Sequence, residues 1–150
     1  GVTSKLATAT GFFYRNEAGR IFLVTNKHVV FDERAGYFPD RLRLSVHSDP
    51  MHLRKMDHID LRLWSKDRKK LWKWVNYRPI DLAALEVPAN QLTGCWVTPF
   101  SKADILDTDE ELLPGKDIGL GLQSLVVGYP HVFYDKNTFL PMASPSCLAS

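Results

Sequence analysis

Strict alternation of apolar and polar residues is the feature that most constrains this fold. Residues 41–47 (RLRLSVH) alternate without a break, and residues 58–63 (HIDLRL) repeat the pattern. In an extended strand, Leu42, Leu44 and Val46 would share one face, and their charged neighbours would face water. A helix would spread these side chains around its circumference instead. The alternation therefore predicts half-buried β-strands.

Short apolar runs separated by turn residues extend this interpretation along the chain. Further strands are predicted over residues 12–14, 21–24, 71–75, 81–87, 122–128 and 139–149. Residues 16–19 (NEAG) supply the turn between the first two. Only residues 100–113 favour a helix, because Ser101 and Asp104 have capping-box spacing. Many short strands with regular turns predict an all-β barrel or sandwich.

Composition excludes few functions. A chain of 150 residues can bury a core without a metal or disulfide staple. Its two cysteines, Cys95 and Cys147, are too few for a disulfide framework and could be paired or free. No apolar run approaches the roughly 20 residues of a membrane span, so no membrane partner is expected. The composition does not indicate a cellular compartment.

Basic residues cluster at residues 66–70 (KDRKK), beside Trp72 and Trp74. Basic plus aromatic residues can form a nucleic-acid surface. Asp67 interrupts the run, and the sheet pattern accounts for the tryptophans. We therefore favour a solvated hairpin tip and expect no nucleic-acid partner.

Two segments carry candidate chemistry. His28 directly follows an apolar strand in residues 21–30 (IFLVTNKHVV), and Asp81 opens another in residues 80–88 (IDLAALEVP). Taken singly, such a histidine is more often a surface residue and such an aspartate a turn residue. With residues 9–13 (ATGFF) before them, the segments resemble the histidine and aspartate motifs of trypsin-like serine peptidases.

The resemblance continues into the last part of the chain. Residues 115–118 (GKDI) and 125–130 (LVVGYP) resemble the start of the second barrel in bacterial members, and residues 139–142 (FLPM) the strand after it. It implies an all-β, chymotrypsin-like fold. Residues 1–113 would form a first, six-stranded β-barrel. Residues 114–150 would form the end of a linker and the first strands of an incomplete second barrel.

The resemblance also implies a function, peptide-bond hydrolysis by a serine endopeptidase acting on a peptide or protein substrate without a cofactor or metal. His28 would be the general base, because a histidine can take and return a proton near neutrality. Asp81 would orient the ring and stabilise its charged form. A serine hydroxyl needs such a base to become a nucleophile.

The chain departs from that family at the nucleophile. No Gly-x-Ser-Gly turn occurs, and no glycine flanks Ser144, Ser146, Ser150 or Cys147. The serine is therefore expected beyond residue 150, and the chain alone is expected to be inactive. Lys27 and Val29 also replace the family's usual small residue and cysteine. A non-catalytic peptidase-like binding or scaffold module and an unrelated β-barrel binding domain remain alternatives.

Two further expectations concern metals and partners. His47, Asp49, His52, Asp57 and His58 lie close together in the sequence, so a metal site is imaginable. The two strand histidines are expected on a wet polar face, however, and we predict no metal. An incomplete second barrel would leave open strand edges, which favours a homo-oligomer paired through them.

Overall fold

The computed structural model describes residues 9–75, 77, 79–105, 123–129, 138 and 140–147. Within these ranges the chain is all-β, with antiparallel sheets and little helix. None of its described helices is long and apolar enough to cross a bilayer. The chain divides into two compact units, Gly1–Lys102 and Ala103–Ser150.

The first unit contains six described strands and two short helical segments, and a third segment crosses its end. The strands are β1 (Gly11–Arg15), β2 (Ile21–Thr25), β3 (Arg41–His47), β4 (Met56–Arg62), β5 (Trp72–Trp74) and β6 (Ala83–Val87). The helix α1 covers Lys27–Val30, and a 3-10 turn covers Ala89–Leu92. A second 3-10 turn, Lys102–Asp104, spans the boundary between the units.

A tight turn closes the first hairpin. The N–H of Gly19 donates to the carbonyl of Asn16 at 2.9 Å, and Gly19 has a φ of 76°, which residues with a Cβ rarely adopt. The turn predicted over residues 16–19 is thereby confirmed. β2 pairs with β6 and β6 with β5, so the sheet has the order β1–β2–β6–β5.

The alternating segments form a separate two-stranded sheet. β3 and β4 pair antiparallel over their full length. Val46 is buried, and Leu42 and Leu44 pack against the core, as the alternation predicts. On the opposite face, the Arg43 guanidinium donates to both carboxylate oxygens of Asp60, at 2.8 and 2.9 Å. The predicted division into an apolar and a polar face is confirmed.

A single apolar cluster lies between these two sheets and holds them together. Leu63 is fully buried, and Trp72 is only 2% exposed. Burying one large aliphatic side chain contributes roughly 1.5–3 kcal/mol, so this cluster stabilises the first unit most. The cluster comprises Leu23, Val30, Val46, Ile59, Leu61, Leu63, Trp72, Ala83, Leu85 and Val87.

Isolated bridges extend the pairing beyond the two sheets. Trp64 pairs with Lys70 between β4 and β5, and segment 96–100 pairs with β3 through His47 and Trp96 and with β1 through Tyr14 and Phe100. The N–H of Phe100 donates to the carbonyl of Phe13 at 2.8 Å, which extends the edge of β1. In the described ranges no sheet closes into a barrel through continuous ladders, so the six-stranded barrel stays a prediction.

The structure also bears on the predicted hairpin tip and the predicted helix. The N–H of Ser65 donates to the carbonyl of Lys69 at 2.8 Å, so residues 66–70 form the tip of a hairpin as expected. The helix predicted over residues 100–113 appears only as the single turn Lys102–Asp104 in its described part. Residues 106–113 lie outside the described residues.

The second unit contains one described hairpin. β7 (Gln123–Gly128) pairs antiparallel with β8 (Met142–Cys147), which confirms the two strands predicted there. Leu122, Phe139 and residues 148–149, which the predictions included, lie outside the described residues. Most described side chains of this hairpin are exposed, and Leu125 is 68% exposed.

Candidate functional site

The end of β2 places His28 at the edge of the first unit. Asn26 is extended, with φ −70° and ψ 144°, and the chain then turns into α1. Val30, the last residue of this helix, is 1% exposed and anchors it in the core. The Thr25 hydroxyl donates to the carbonyl of Thr10 at 2.8 Å and fixes the strand end before the turn. His28 therefore projects from a short, anchored helix.

Strand register brings Asp81 to the same place. Thr25, the last residue of β2, pairs with Ala83, the first of β6. Because the strands are antiparallel, residues just after β2 must lie beside residues just before β6. The Asn26 side-chain amide donates to the carbonyl of Asp81 at 3.1 Å and ties the two ends together.

Both oxygens of the Asp81 carboxylate bind His28. Oδ2 lies 2.5 Å from the ring Nδ1, and Oδ1 accepts the backbone N–H of His28 at 3.1 Å. An ionised carboxylate only accepts hydrogen bonds, so Nδ1 must carry the proton between them. The neutral ring then has its lone pair on Nε2, and no described residue contacts that nitrogen through a hydrogen bond.

The electrostatics of the pair favour an ionised aspartate. Partial burial raises the pKa of Asp81, but hydrogen bonds from the ring and backbone of His28 lower it more. The charge of the ring and the backbone N–H of Lys27 act in the same direction. The pKa of Asp81 therefore lies below its ordinary value, and the carboxylate is charged wherever His28 would work as a base.

The pair is open to solvent in the described structure. The His28 side chain is 60% exposed and that of Asp81 46% exposed. A substrate or a second part of a protein could therefore reach Nε2. The arrangement can accept a proton and hold the resulting charge, which is the chemistry of a general base with an orienting carboxylate.

A second histidine–aspartate contact serves as a contrast. His52 Nδ1 lies 2.8 Å from Asp49 Oδ2, three residues away on an exposed turn. The N–H of Met51 and the His52 ring lower the pKa of Asp49. The backbone N–H of His52 donates to the main-chain carbonyl of Asp49 at 3.2 Å and not to its carboxylate, as in an ordinary turn between neighbouring residues. It is a local turn contact.

The histidines suggested as metal ligands have other surroundings. His58 Nδ1 lies 3.2 Å from the Ser45 hydroxyl across the β3–β4 sheet. His47 and Trp96 make an edge-on ring contact, with centroids 6.2 Å apart. Within the described ranges no three His, Cys, Asp or Glu residues gather as a metal site requires.

Cys95, in the first unit, and Cys147, in the second, are both free thiols in the described structure. The thiol of Cys95 donates to the carbonyl of Gln91 at 3.8 Å. Burial raises the pKa of this thiol, and the charge of Asp57 raises it further. A raised pKa disfavours the thiolate, so Cys95 is a poor nucleophile. Cys147 lies exposed in β8.

Sequence reasoning did not assign roles to Asn26 and Lys27. Their contributions are a side-chain amide on the carbonyl of Asp81 and a backbone N–H directed at its carboxylate. A backbone donor has no signature in the sequence. Asn26 stands two residues before the candidate base, so its side chain could have been considered as a hydrogen-bond donor from the sequence alone.

No protein-family model, curated protein or solved structure matches this chain.

Proposed function

We propose that this chain is the base-bearing portion of a trypsin-like serine endopeptidase, with His28 as general base and Asp81 as its orienting carboxylate. The observation that carries the proposal is the double attachment of His28 to Asp81, through Nδ1 and through its own backbone N–H. It fixes both the tautomer and the direction of the ring, as a base that must meet a serine hydroxyl requires.

The surrounding sheets support the finer fold proposal, a chymotrypsin-like first barrel. Six strands contribute to one apolar core, and isolated bridges pair Trp64 with Lys70 and segment 96–100 with both β3 and β1. These bridges lie at the gaps between β4 and β5 and between β3 and β1. These positions are consistent with a barrel in which two neighbouring strand pairs are connected by single bridges instead of continuous ladders.

The remaining catalytic parts belong to the proposal as well. Ser144 and Ser146 lie in the hairpin strand β8, without a glycine turn that could supply oxyanion-hole donors. The nucleophilic serine is proposed to follow Ser150. Without that serine and its oxyanion hole, the chain of 150 residues would show no peptidase activity.

The lack of a Gly-x-Ser-Gly turn also favours a second candidate, a peptidase-like binding module without catalysis. Its partners could include a second copy. In β7–β8, Leu125, Val126 and Val127 are each more than half exposed in the described structure. A two-stranded sheet gains stability when further strands or helices pack on it. Light scattering after size-exclusion chromatography tests whether the chain associates with a second copy. A rise in mass with concentration supports edge pairing, and a monomer throughout opposes it.

A serine-reactive fluorophosphonate probe tests the peptidase proposal. The protein is expressed with the sequence that follows Ser150 in its gene. We expect labelling that disappears in His28→Ala and persists in His52→Ala, which removes the turn histidine. A stop codon directly after Ser150, or no labelling of the longer protein, would oppose the peptidase and favour the binding module. Labelling that persists in His28→Ala would oppose the assignment of His28 as the base.

A further inference from the structure

A group of lysine and tryptophan side chains lies next to the His28–Asp81 pair. The Lys70 ammonium is 4.2 Å from the centroid of the Trp74 ring, and the Lys27 ammonium is 5.7 Å from the same centroid. On the core side, the Lys70 ammonium also lies 5.0 Å from the centroid of the Phe31 ring and 5.2 Å from that of the Trp72 ring. We call Lys27, Lys70 and Trp74 the Lys–Trp patch.

Strand geometry explains why the patch lies beside the proposed base. Trp72 and Trp74 alternate with Lys73 along β5, so both rings lie on the same side of the strand. Trp72 is buried, whereas Trp74, at the end of the strand, is 37% exposed. Trp74 pairs with Ala83, two residues after Asp81.

Lys27 joins the patch to the site directly. It precedes His28, and its backbone N–H helps to lower the pKa of Asp81. Its side chain reaches over the Trp74 ring. The lysine that contacts this ring and the proposed base are therefore consecutive residues of α1.

The two ammonium groups lack an acidic counterpart among the residues that the structure describes. Neither Lys27 nor Lys70 forms an ion pair with a carboxylate in the described ranges, whereas Arg20, Arg41, Arg43 and Lys102 do. The neighbouring hairpin tip adds Lys66, Arg68 and Lys69 against a single Asp67. The Lys27 ammonium lies over one ring and that of Lys70 over three, and Lys70 stays exposed, which leaves N–H groups able to donate.

We propose that the Lys–Trp patch binds acidic side chains of a polypeptide. If the patch serves as a substrate subsite, the proposal rests on the proposed peptidase function. Binding of an acidic polypeptide at the patch does not depend on that function. Two ammonium groups held on one indole ring offer carboxylates a pair of donors whose side-chain freedom is already restricted, which reduces the entropy lost on binding. The patch holds two cations around one ring, which suits one or two carboxylates better than the phosphate track of a nucleic acid.

Fluorescence anisotropy on the chain of residues 1–150 tests the proposal. A labelled glutamate-rich peptide is compared with a glutamine-rich peptide of equal length and with a single-stranded oligonucleotide. We expect the glutamate peptide to bind at least about tenfold more tightly than the glutamine peptide and to weaken with added salt. Lys27→Gln and Lys70→Gln should each weaken it about two- to fivefold, the range of an exposed charge pair.

Lys73→Gln is the matched control, because Lys73 is an exposed lysine on the other side of the same strand. The affinity of the Lys73→Gln variant for the glutamate-rich peptide should stay within about twofold of that of the unaltered chain. Urea midpoints of all three variants verify that they fold. Equal binding of both peptides, or equal weakening by Lys73→Gln, would overturn the proposal. Tighter oligonucleotide binding that depends on Lys27 and Lys70 would also overturn it. Probe labelling at the serine plays no part in this result, so the two proposals can fail separately.

Discussion

The carboxylate of Asp81 binds the ring of His28 with one oxygen and the backbone N–H of His28 with the other. The ring is thus held relative to its own main chain. In the exposed contact of His52 with Asp49, three residues apart, the backbone N–H donates to the main-chain carbonyl instead of the carboxylate. That difference separates a candidate base from a turn contact, although the two pairs contain the same residue types.

The acid stability of the protein should depend on Asp81. Its pKa is lowered in the fold, so its contribution is complete above the ordinary carboxyl pKa of about 3.9 and is lost as pH falls through the folded value. We expect Asp81→Asn to lower the free energy of unfolding by about 0.5 kcal/mol near neutrality, since the pair is half exposed. This difference should shrink below about pH 4, as urea midpoints across pH would record.

Asp67→Asn is the control for that experiment, because Asp67 lies at a hairpin tip and forms no ion pair in the described ranges. Its urea midpoint should follow that of the original chain across the acid range. A deficit of Asp81→Asn that stays constant with pH would mean that the carboxylate charge plays no part.

Leu63 should be among the most costly residues to truncate. It is fully buried between the two sheets, so Leu63→Ala removes apolar contacts and leaves a cavity. We expect a loss of about 2–5 kcal/mol in the free energy of unfolding. Leu71→Ala, at a leucine that is 46% exposed, should cost about 1 kcal/mol or less. Equal costs in urea titrations would contradict the single core described above.

Gly11 should not tolerate a side chain. A Cβ there would lie 2.9 Å from both the Leu23 Cδ1 and the Val24 carbonyl oxygen. The leucine can rotate but the carbonyl belongs to the paired strand, so Gly11→Ala should cost about 1–3 kcal/mol.

Gly19→Asn provides the comparison for Gly11→Ala. Gly19 has open space around it, and asparagine tolerates its positive φ. Thermal denaturation should show a small shift for Gly19→Asn and a large one for Gly11→Ala. The reverse order would mean that β1 and β2 are not packed as described.

Local pattern was enough to predict the all-β class and most of the described strands. The alternation at Arg41–His47 fixes which face of β3 is buried, because a strand has a period of two. Turn residues at Asn16 and Gly19 specify the first hairpin in the same local way. His28 and Asp81 are singled out by the resemblance of their segments to the histidine and aspartate motifs of trypsin-like peptidases, and the pairing of β2 with β6 brings them together.

The remaining features depend on contacts between distant segments. The turn at His28 is a four-residue helix, α1, which is too short to have a periodic signal. The approach of Lys27 and Lys70 to Trp74 depends on the pairing of β5 with β6. The division of the strands into two sheets depends on where ladders reduce to single bridges, which side-chain pattern does not encode.

Nitrogen-15 NMR of the His28 ring, under mildly alkaline conditions that keep an ordinary imidazole neutral, tests the central claim most directly. The account predicts that Nδ1 carries the proton and that Asp81→Asn removes this preference. Asp49→Asn, which alters only the partner of His52, should leave the His28 signals unchanged. A proton on Nε2 in the unaltered protein, or His28 signals that ignore Asp81→Asn, would contradict the assignment of His28 and Asp81 as base and orienting carboxylate.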